Sequence, residues 1–285
     1  MSMKIIVTGA EGQLGTDVML ALRERGIEGI GVDRSDFDIT DAAATEAFIT
    51  AEKPDGVIHC AAFTAVDKAE SERELCFAVN VTGSENVACA CEKCGAKCLY
   101  ISTDYVFGGD EPDEYEPDDK KSPVNYYGET KLAGENAVQA LCSKHFIVRT
   151  SWVFGLYGRN FVKSMLYLGA RKGEIGVVCD QIGSPTFTPD LARLCCDIIQ
   201  TEKYGVYHAT NEGYCSWAEF ADEIMHRSGT PCEVKAITSE EYPCAARRPK
   251  NSRLSKASLD KVGFERLPHW KDALSRYLDG VKESE

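Results

Sequence analysis

Residues 3–15 read Met-Lys-Ile-Ile-Val-Thr-Gly-Ala-Glu-Gly-Gln-Leu-Gly, and the apolar run Val18-Met19-Leu20-Ala21-Leu22 follows shortly after. The isoleucines and valine favour a strand, the glycines favour a tight turn, and the second apolar run fits a helix. Residues 29–33 predict a second strand that ends in an acidic side chain. We therefore expect a strand–turn–helix–strand unit with a glycine-rich turn at its centre.

The glycine-rich turn has the chemistry of a dinucleotide site. Gly9 permits a tight turn, Gly12 lets a pyrophosphate approach the backbone, and Gly15 lets helix and strand pack closely. A plain turn is the simpler interpretation of the glycines alone, but their place between a strand and a helix favours nucleotide binding. Asp33 would accept from the adenosine ribose hydroxyls, which favours NAD, whereas Arg34 could meet the 2′-phosphate of NADP. The pair leaves both coenzymes open.

Strands and helices continue to alternate to about residue 150. A helix that Thr40 or Asp41 caps is predicted to run to about Glu52, and further strands are predicted at residues 56–60, 98–102 and 146–150. We expect a doubly wound parallel sheet with right-handed crossovers, formed by residues 1–150. The pattern loosens in residues 151–285, which predict a smaller mixed α/β domain. Elements between residues 172 and 210 could still return to the first domain.

Local signals are clear in the second half. Ser216 and Glu219 form a predicted capping box, and Thr188-Pro189-Asp190 predicts the start of another capped helix. The acidic, proline-containing stretch 110–121 is expected to be a solvated surface loop.

A second chemical signal lies in residues 122–131, Ser-Pro-Val-Asn-Tyr-Tyr-Gly-Glu-Thr-Lys. Ser122 is expected to cap a helix with Pro123 at its first position. On that helix Tyr127 and Lys131 project from one face. A nearby ammonium lowers the pKa of a phenol and makes it a general acid. Alone the pair is weak, because Tyr and Lys at this spacing are common on solvated helix faces.

The ends of the predicted strands carry further candidates. Ala61-Ala62-Phe63-Thr64 follows the third strand with small residues where a cofactor would cross. Thr103 follows the fourth strand, and the carboxyl ends of parallel strands are where such sheets bind ligands. Thr103 is therefore expected to meet a substrate.

The charge of the chain limits the classes of partner. A net charge of −13 over 285 residues disfavours a nucleic-acid or membrane-surface binder. The first residues enter a strand directly, without the features of a signal peptide, and no apolar run is long enough to span a bilayer, so we expect a cytoplasmic protein. An anionic substrate would need a local basic patch. Arg247, Arg248, Lys250, Arg159 and Lys163 are the candidates.

Thirteen cysteines are an unusually high number, and their odd count disfavours a disulfide scaffold. Cys89, Cys91, Cys94 and Cys98 cluster in sequence, but their spacing matches neither zinc nor iron–sulfur motifs. We interpret them as small apolar side chains and predict no metal site.

Four motifs together resemble those of the extended short-chain dehydrogenase/reductases. They are Thr8-Gly9-Ala10-x-Gly12-Gln13-Leu14-Gly15, Ala61-Ala62-x-Thr64-Ala65-Val66-Asp67, Ser102-Thr103-Asp104-Tyr105-Val106-Phe107 and Tyr127-Gly128-x-x-Lys131. The resemblance continues through Arg149-Thr150-Ser151-Trp152 and Gly183-x-Pro185-Thr186 to Arg248-Pro249-x-Asn251. It implies a Rossmann-type fold and an NADPH- or NADH-dependent reduction of the C4 ketone of dTDP-4-dehydro-L-rhamnose, a step toward cell-surface polysaccharide precursors.

The resemblance also implies the site residues. The implied catalytic residues are Thr103, Tyr127 and Lys131. The implied cofactor-binding residues are Gly9, Gly12, Gln13, Leu14, Asp33, Asp38, Ile39, Ala61, Ala62, Phe63, Thr64, Ser102, Tyr127 and Lys131. The implied substrate-binding residues are Val66, Thr103, Asp104, Tyr105, Trp152 and Arg248.

Two positions depart from the family pattern. Phe63 stands where the family often has histidine, so one contact at the edge of the cofactor could differ. Some members dimerise through a magnesium site built from glutamates, but here Asp17 and the Thr188-Pro189 segment occupy those places. We expect a monomer or homodimer without that metal.

The sequence motifs leave two alternative functions open. One is a different nucleotide-sugar enzyme of the same superfamily, an epimerase or dehydratase, because Asp104 does not discriminate among them. The other is a non-catalytic, cofactor-binding regulatory subunit, which the presence of Thr103, Tyr127 and Lys131 argues against.

Overall fold

A computed structural model describes residues 3–283 of the chain. Within this range the α-helices are α1 Gln13–Glu24, α2 Ala42–Glu52, α3 Val66–Ala69, α4 Arg73–Phe77, α5 Gly83–Cys94, α6 Tyr126–Leu141, α7 Phe161–Gly169, α8 Thr188–Ile199, α9 Trp217–Ser228, α10 Ala257–Val262 and α11 Trp270–Glu283. The strands are β1 Lys4–Thr8, β2 Glu28–Val32, β3 Gly56–His59, β4 Lys97–Thr103, β5 His145–Thr150, β6 Val153–Phe154, β7 Glu174–Val178, β8 Ile182–Gly183, β9 Thr186–Phe187, β10 Gly205–His208, β11 Asn211–Glu212, β12 Cys215–Ser216, β13 Glu233–Ile237 and β14 Leu267–His269. None of the helices in the described range has the length and apolar character that a bilayer crossing needs.

The central sheet confirms the predicted fold class. Six parallel strands lie in the order β10-β5-β4-β3-β1-β2. Ile5 packs into the core on one face, together with α8, and Ile6 packs into the core on the other face, together with α5. Side chains of a strand alternate between faces, so β1 is apolar on both sides, as expected of a doubly wound parallel sheet.

The glycine-rich turn forms because two of its positions accept only glycine without strain. Gly9 has a φ of 67°, in the left-handed region that side chains disfavour. A Cβ on Gly15 would lie 2.0 Å from the Gly9 carbonyl oxygen, so α1 could not approach β1 this closely with any other residue.

Residues beyond 150 contribute to two cores. Leu191 of α8 and Tyr207 of β10 are buried in the core of the central sheet, and α8 packs on α1. A second core contains Phe220 of α9 and Trp270 and Tyr277 of α11. The division into two domains at residue 150 stays a proposal. Residues 188–208 lie against the first domain, within the range 172–210 that was expected to be able to return to it.

The cap of α2 is confirmed, and so is that of α9. The Asp41 carboxylate accepts from the amides of Ala43 and Ala44, and Ser216 and Glu219 form the expected capping box. The predicted side-chain cap of α8 is wrong, because the residue before that helix is Phe187, which has no side-chain acceptor.

The predicted start of the Tyr127 helix is also wrong. The helix begins at Tyr126, and Asn125 caps it by accepting from the Gly128 amide at 2.8 Å. The Ser122 amide instead donates to the Val106 carbonyl oxygen at 3.0 Å, which holds Ser122 in the preceding loop. Ser122 and Asn125 both have side chains that can cap a helix, and the contact between Ser122 and Val106 leaves Asn125 as the cap.

The acidic stretch 110–121 is largely exposed, as expected of a surface loop, but part of it packs against the protein. Tyr115 is buried and stacks on Phe107 with ring centroids 4.3 Å apart. The Pro117 carbonyl oxygen accepts from the Arg149 guanidinium at 2.9 Å. The loop is therefore anchored at two points to the core beneath the site.

Candidate active site

A cavity of about 990 Å³ lies at the carboxyl ends of the sheet strands. Its walls include the glycine-rich turn, the ends of β2 and β4, the start of α6 and the first residue of α9. The predicted site residues in its lining are Gly9, Gly12, Gln13, Leu14, Asp33, Asp38, Ile39, Ala61, Ala62, Thr64, Val66, Ser102, Thr103, Asp104, Tyr105, Tyr127, Lys131 and Trp152. Residues distant in sequence thus meet in one space large enough for two ligands.

The reactive end of the cavity contains the three predicted catalytic residues. The Tyr127 ring lies edge-on to that of Tyr105, and the Thr103 hydroxyl donates to Asp104 Oδ1 at 2.9 Å. The Lys131 ammonium donates to the Ile101 carbonyl oxygen at 2.7 Å and lies 4.0 Å from the centre of the Tyr100 ring. Each of these polar groups therefore has a defined orientation.

The pKa of Tyr127 runs opposite to the prediction. Burial raises this pKa above its ordinary value, and the Asp104 carboxylate raises it further. Burial also lowers the pKa of Lys131 to about 7. The ammonium is directed at the Ile101 carbonyl oxygen, and the net shift of the Tyr127 pKa is upward.

Asp104 is almost fully buried beside the reactive end. Burial raises the pKa of its carboxyl group to about 6, against the effect of nearby hydroxyl groups including that of Thr103. Within residues 3–283 its Oδ2 atom has no hydrogen-bond partner. A buried acceptor without a partner is costly, and the Ser252 hydroxyl is the other polar group that acts on this carboxylate.

A buried ion pair between Arg149 and Glu135 supports the end of β4. Arg149 of β5 donates to both carboxylate oxygens of Glu135, at 2.8 and 2.7 Å. Glu135 also accepts from the Ser102 hydroxyl, and Ser102 lines the cavity. Arg149 lies 3.3 Å from His208 Nε2, and burial and Arg149 lower the pKa of His208, so the imidazole is neutral. The pair fixes helix α6 against the sheet.

The segment after β3 is held by a helix with a π-helical turn. Residues Ala78–Thr82 form that turn between α4 and α5. Within it, Asn80 accepts from the Phe63 amide at 2.8 Å and donates to the Phe63 carbonyl oxygen at 3.2 Å. Phe63 is not part of the cavity lining defined by the described residues, so its predicted cofactor contact remains a prediction.

The glycine-rich turn is tied to the second half of the chain through Gln13. Its side chain donates to the Val153 carbonyl oxygen at 3.3 Å and accepts from Asn160 at 2.9 Å. Asp33 accepts from the Glu11 amide at 2.7 Å. These hydrogen bonds hold the glycine-rich turn in place without a ligand.

The turn also fits a dinucleotide. Gly12 lines the cavity, and a Cβ there would lie only 3.0 Å from the Gly9 carbonyl oxygen, so a bare backbone faces the space where a pyrophosphate would bind. The residues present therefore suit NAD(P), with Asp33 and Arg34 both in the lining at the adenosine end.

The basic residues that were candidates to bind an anionic substrate differ in whether they line the cavity. Arg248 pairs with Asp67 at 2.7 Å, and Lys163 donates to the Leu156 and Gly158 carbonyl oxygens. Neither is in the lining that residues 3–283 form. Arg159 does line the cavity. It is the better placed cation for a phosphate group.

Several lining residues were not anticipated as site residues. Thr150 ends β5 and Ser151 follows it, so the strand-end rule could have found both residues. Leu75 and Val79 come from the helix with the π-helical turn, and Trp217 comes from α9. No local pattern marks these three, because only the tertiary fold brings them to the cavity.

The cysteines and Asp17 give no metal cluster within the described range. Cys91 and Cys98 are buried as expected of small apolar side chains, while Cys89 is exposed. Asp17 is buried against Thr188, and burial raises its pKa. Among residues 3–283 there is no group of three metal-ligating side chains; the predicted lack of a metal site stays a prediction.

Comparison with known proteins agrees with this geometry. The chain is 40% identical over 284 residues to dTDP-4-dehydrorhamnose reductase of Mycobacterium tuberculosis, covering 97% of this chain and 93% of the relative. It is 40% identical over 275 residues to the spore coat polysaccharide biosynthesis protein SpsK of Bacillus subtilis, covering 96% of each.

A solved structure is similar at the same level. The crystal structure of dTDP-4-dehydrorhamnose reductase from Bacillus anthracis in complex with NADP superposes with a TM-score of 0.96. It is 43% identical to this chain and covers 98% of this chain and 100% of its own. The family model described as RmlD substrate binding domain matches residues 3–283. A match over this length, together with the reactive end and the dinucleotide turn, establishes that the chain belongs to the RmlD substrate binding domain family.

Proposed function

We propose that this protein reduces the C4 ketone of dTDP-4-dehydro-L-rhamnose with NADPH or NADH to give dTDP-L-rhamnose. The observation that carries the proposal is the convergence of Thr103, Tyr127 and Lys131 at one end of a cavity whose other end is the glycine-rich turn. The similarity to reductases of this name over nearly the whole chain supports the same reaction.

The cofactor-binding residues follow from the shape of the cavity. Gly9 and Gly12 would leave the backbone open to the pyrophosphate, and Asp33 would accept from the adenosine ribose. Lys131 would hold the nicotinamide ribose near the reactive end. The bound cofactor supplies the hydride.

The protein's own groups manage the charge that develops on the carbonyl oxygen. Tyr127 would donate a proton to this oxygen as general acid. Thr103 would donate a hydrogen bond that orients the carbonyl group. The high pKa of Tyr127 keeps the phenol protonated in this structure, which is the form that a reductase needs before the reaction.

The substrate would occupy the space beyond Tyr127. Asp104 would contact a sugar hydroxyl, and it lines the cavity together with Trp152, Tyr105 and Val66. Arg159 is proposed as the partner of a phosphate group. Arg248 remains a candidate only if its pair with Asp67 rearranges.

The proposed setting is the cytoplasm, where nucleotide sugars and reduced nicotinamide cofactors are made. The proposed state is a monomer or homodimer, and the partner is the small-molecule nucleotide sugar rather than a nucleic acid or membrane.

The test is oxidation of NADPH and, separately, NADH by the purified protein given dTDP-4-dehydro-L-rhamnose, with product analysis. We expect turnover to dTDP-L-rhamnose and its loss in Tyr127→Phe. Tight cofactor binding without turnover would contradict the proposal and favour a regulatory subunit. Turnover of a different nucleotide sugar alone would favour another enzyme of the superfamily.

A further inference from the structure

Trp217 lines the cavity, but its contacts are mainly with other aromatic side chains. Its ring stacks on that of Trp152 with centroids 3.7 Å apart and planes inclined by 14°. Phe161 packs against Trp217 with centroids 4.5 Å apart. Trp217 is the first residue of α9, whose start is fixed by the capping box at Ser216. The capped helix therefore presents Trp217 to Trp152 in a fixed place.

Trp152 needs such support because its backbone is unfavourable. Its φ is 49°, in the left-handed region that bulky residues disfavour. A backbone of this kind persists only where its surroundings hold it, and it concentrates at functional sites. The carbonyl group of Trp152 accepts from the Thr186 amide at 3.1 Å, which fixes one part of the residue.

Gly183 of β8 makes the second contact with the indole. A Cβ on Gly183 would lie 2.8 Å from Trp152 Cε2 and 2.9 Å from Cζ2, closer than carbon atoms can approach. Gly183 lies outside the cavity lining formed by residues 3–283. A substitution there would press first on the Trp152 indole and next on Ser252 Cβ, 3.1 Å away.

We propose that Trp217 is a positioning residue that, with Gly183, holds Trp152 in the conformation that binds the nucleotide sugar. The inference rests on the proposed function, in which Trp152 contacts the sugar. Because Trp152 and Phe161 both pack on Trp217, Trp217 acts through Trp152 rather than as a stacking surface for the base.

The kinetic test compares Trp152→Ala, Trp217→Ala and Gly183→Ala. Trp152→Ala tests the proposed contact itself and should raise KM for the sugar by roughly 10-fold or more. Trp217→Ala and Gly183→Ala should each raise this KM by roughly 5–10-fold, the worth of an aromatic contact, with little change in kcat. KM for NADPH should stay unchanged in all three. Trp217→Phe should recover part of the loss, because a phenyl ring can still stack.

A spectroscopic test separates positioning from a general loss of structure. Stacked indoles couple their electronic transitions and give a paired positive and negative band in far-ultraviolet circular dichroism. The chain has 3 tryptophans, and Trp270 is in the second core and outside the cavity lining that residues 3–283 form. The paired band should disappear in Trp152→Phe and Trp217→Phe and persist in the control Trp270→Phe.

The outcomes distinguish the proposed contact between Trp152 and the sugar from the positioning role of Trp217 and Gly183. A normal sugar KM in Trp152→Ala would overturn the contact assigned under the proposed function. A raised KM in Trp152→Ala with normal values in Trp217→Ala and Gly183→Ala would overturn the positioning role alone. If Trp217→Ala does not fold, Trp217→Phe and Gly183→Ala decide the question, and a normal KM in both overturns the role.

Discussion

The Lys131 ammonium donates a hydrogen bond to the Ile101 carbonyl oxygen across 2.7 Å. The lysine is buried between α6 and β4, and burial lowers its pKa to about 7. The position in which Lys131 is proposed to bind a ribose therefore costs the folded protein stability, because an ammonium is expensive to bury.

This cost should depend on pH. Below about pH 7 the lysine is protonated in both the folded and unfolded chain; between that pH and its unfolded pKa near ~10.4 only the unfolded chain keeps the proton. The contribution of Lys131 to the free energy of unfolding therefore rises with pH across this window. Lys131→Met should abolish turnover, stabilise the protein most below pH 7, and remove this part of the pH dependence.

The measurement is urea unfolding of wild type and Lys131→Met across that window. Lys97→Met is the matched control, because Lys97 also donates to backbone carbonyl oxygens but is only half-buried. A difference between wild type and Lys131→Met that does not change with pH would contradict the assignment.

Tyr127→Phe should lower kcat by roughly 10²–10⁴, the usual contribution of one general acid. Tyr126→Phe is the control, since its ring packs on Arg73 3.9 Å away and lies outside the lining that the described residues form. Steady-state rates with saturating NADPH give the comparison, and equal rates for the two variants would refute the role of Tyr127.

Glu135→Gln should destabilise the protein by about 3–5 kcal/mol, because it leaves the buried Arg149 guanidinium without its countercharge. Denaturant unfolding measures the effect. In the control Glu46→Gln, which breaks the exposed pair with Lys93, the loss should be below about 1 kcal/mol. Similar losses in both would mean that the buried pair is not a main support of the site.

Arg34→Gln should distinguish the two coenzymes. Arg34 is 83% exposed, its Nε lies 3.7 Å from Asp38 Oδ2, and it lines the cavity near the expected adenosine ribose. Loss of a charge-assisted contact to the 2′-phosphate should raise KM for NADPH by roughly 10-fold or more and leave KM for NADH nearly unchanged. Arg171→Gln is the control, because Arg171 follows α7, packs on the Tyr167 ring and lies outside the lining that residues 3–283 form. Equal changes for both coenzymes would show that Arg34 does not read the phosphate.

The sequence alone determined the order of elements, the doubly wound sheet and most of the cavity lining. Glycine spacing, apolar periodicity and strand ends are local signals, and parallel strands bring their carboxyl ends together by geometry. The Tyr127–Lys131 pair also follows from helical spacing.

Only the tertiary structure decided how the side chains are paired. Asn125 rather than Ser122 caps α6 because Val106 holds the Ser122 amide. Arg248 meets Asp67, and Trp217 meets Trp152, across long stretches of chain. Such contacts depend on where distant elements pack, and burial then sets the pKa of groups such as Lys131, which no local pattern encodes.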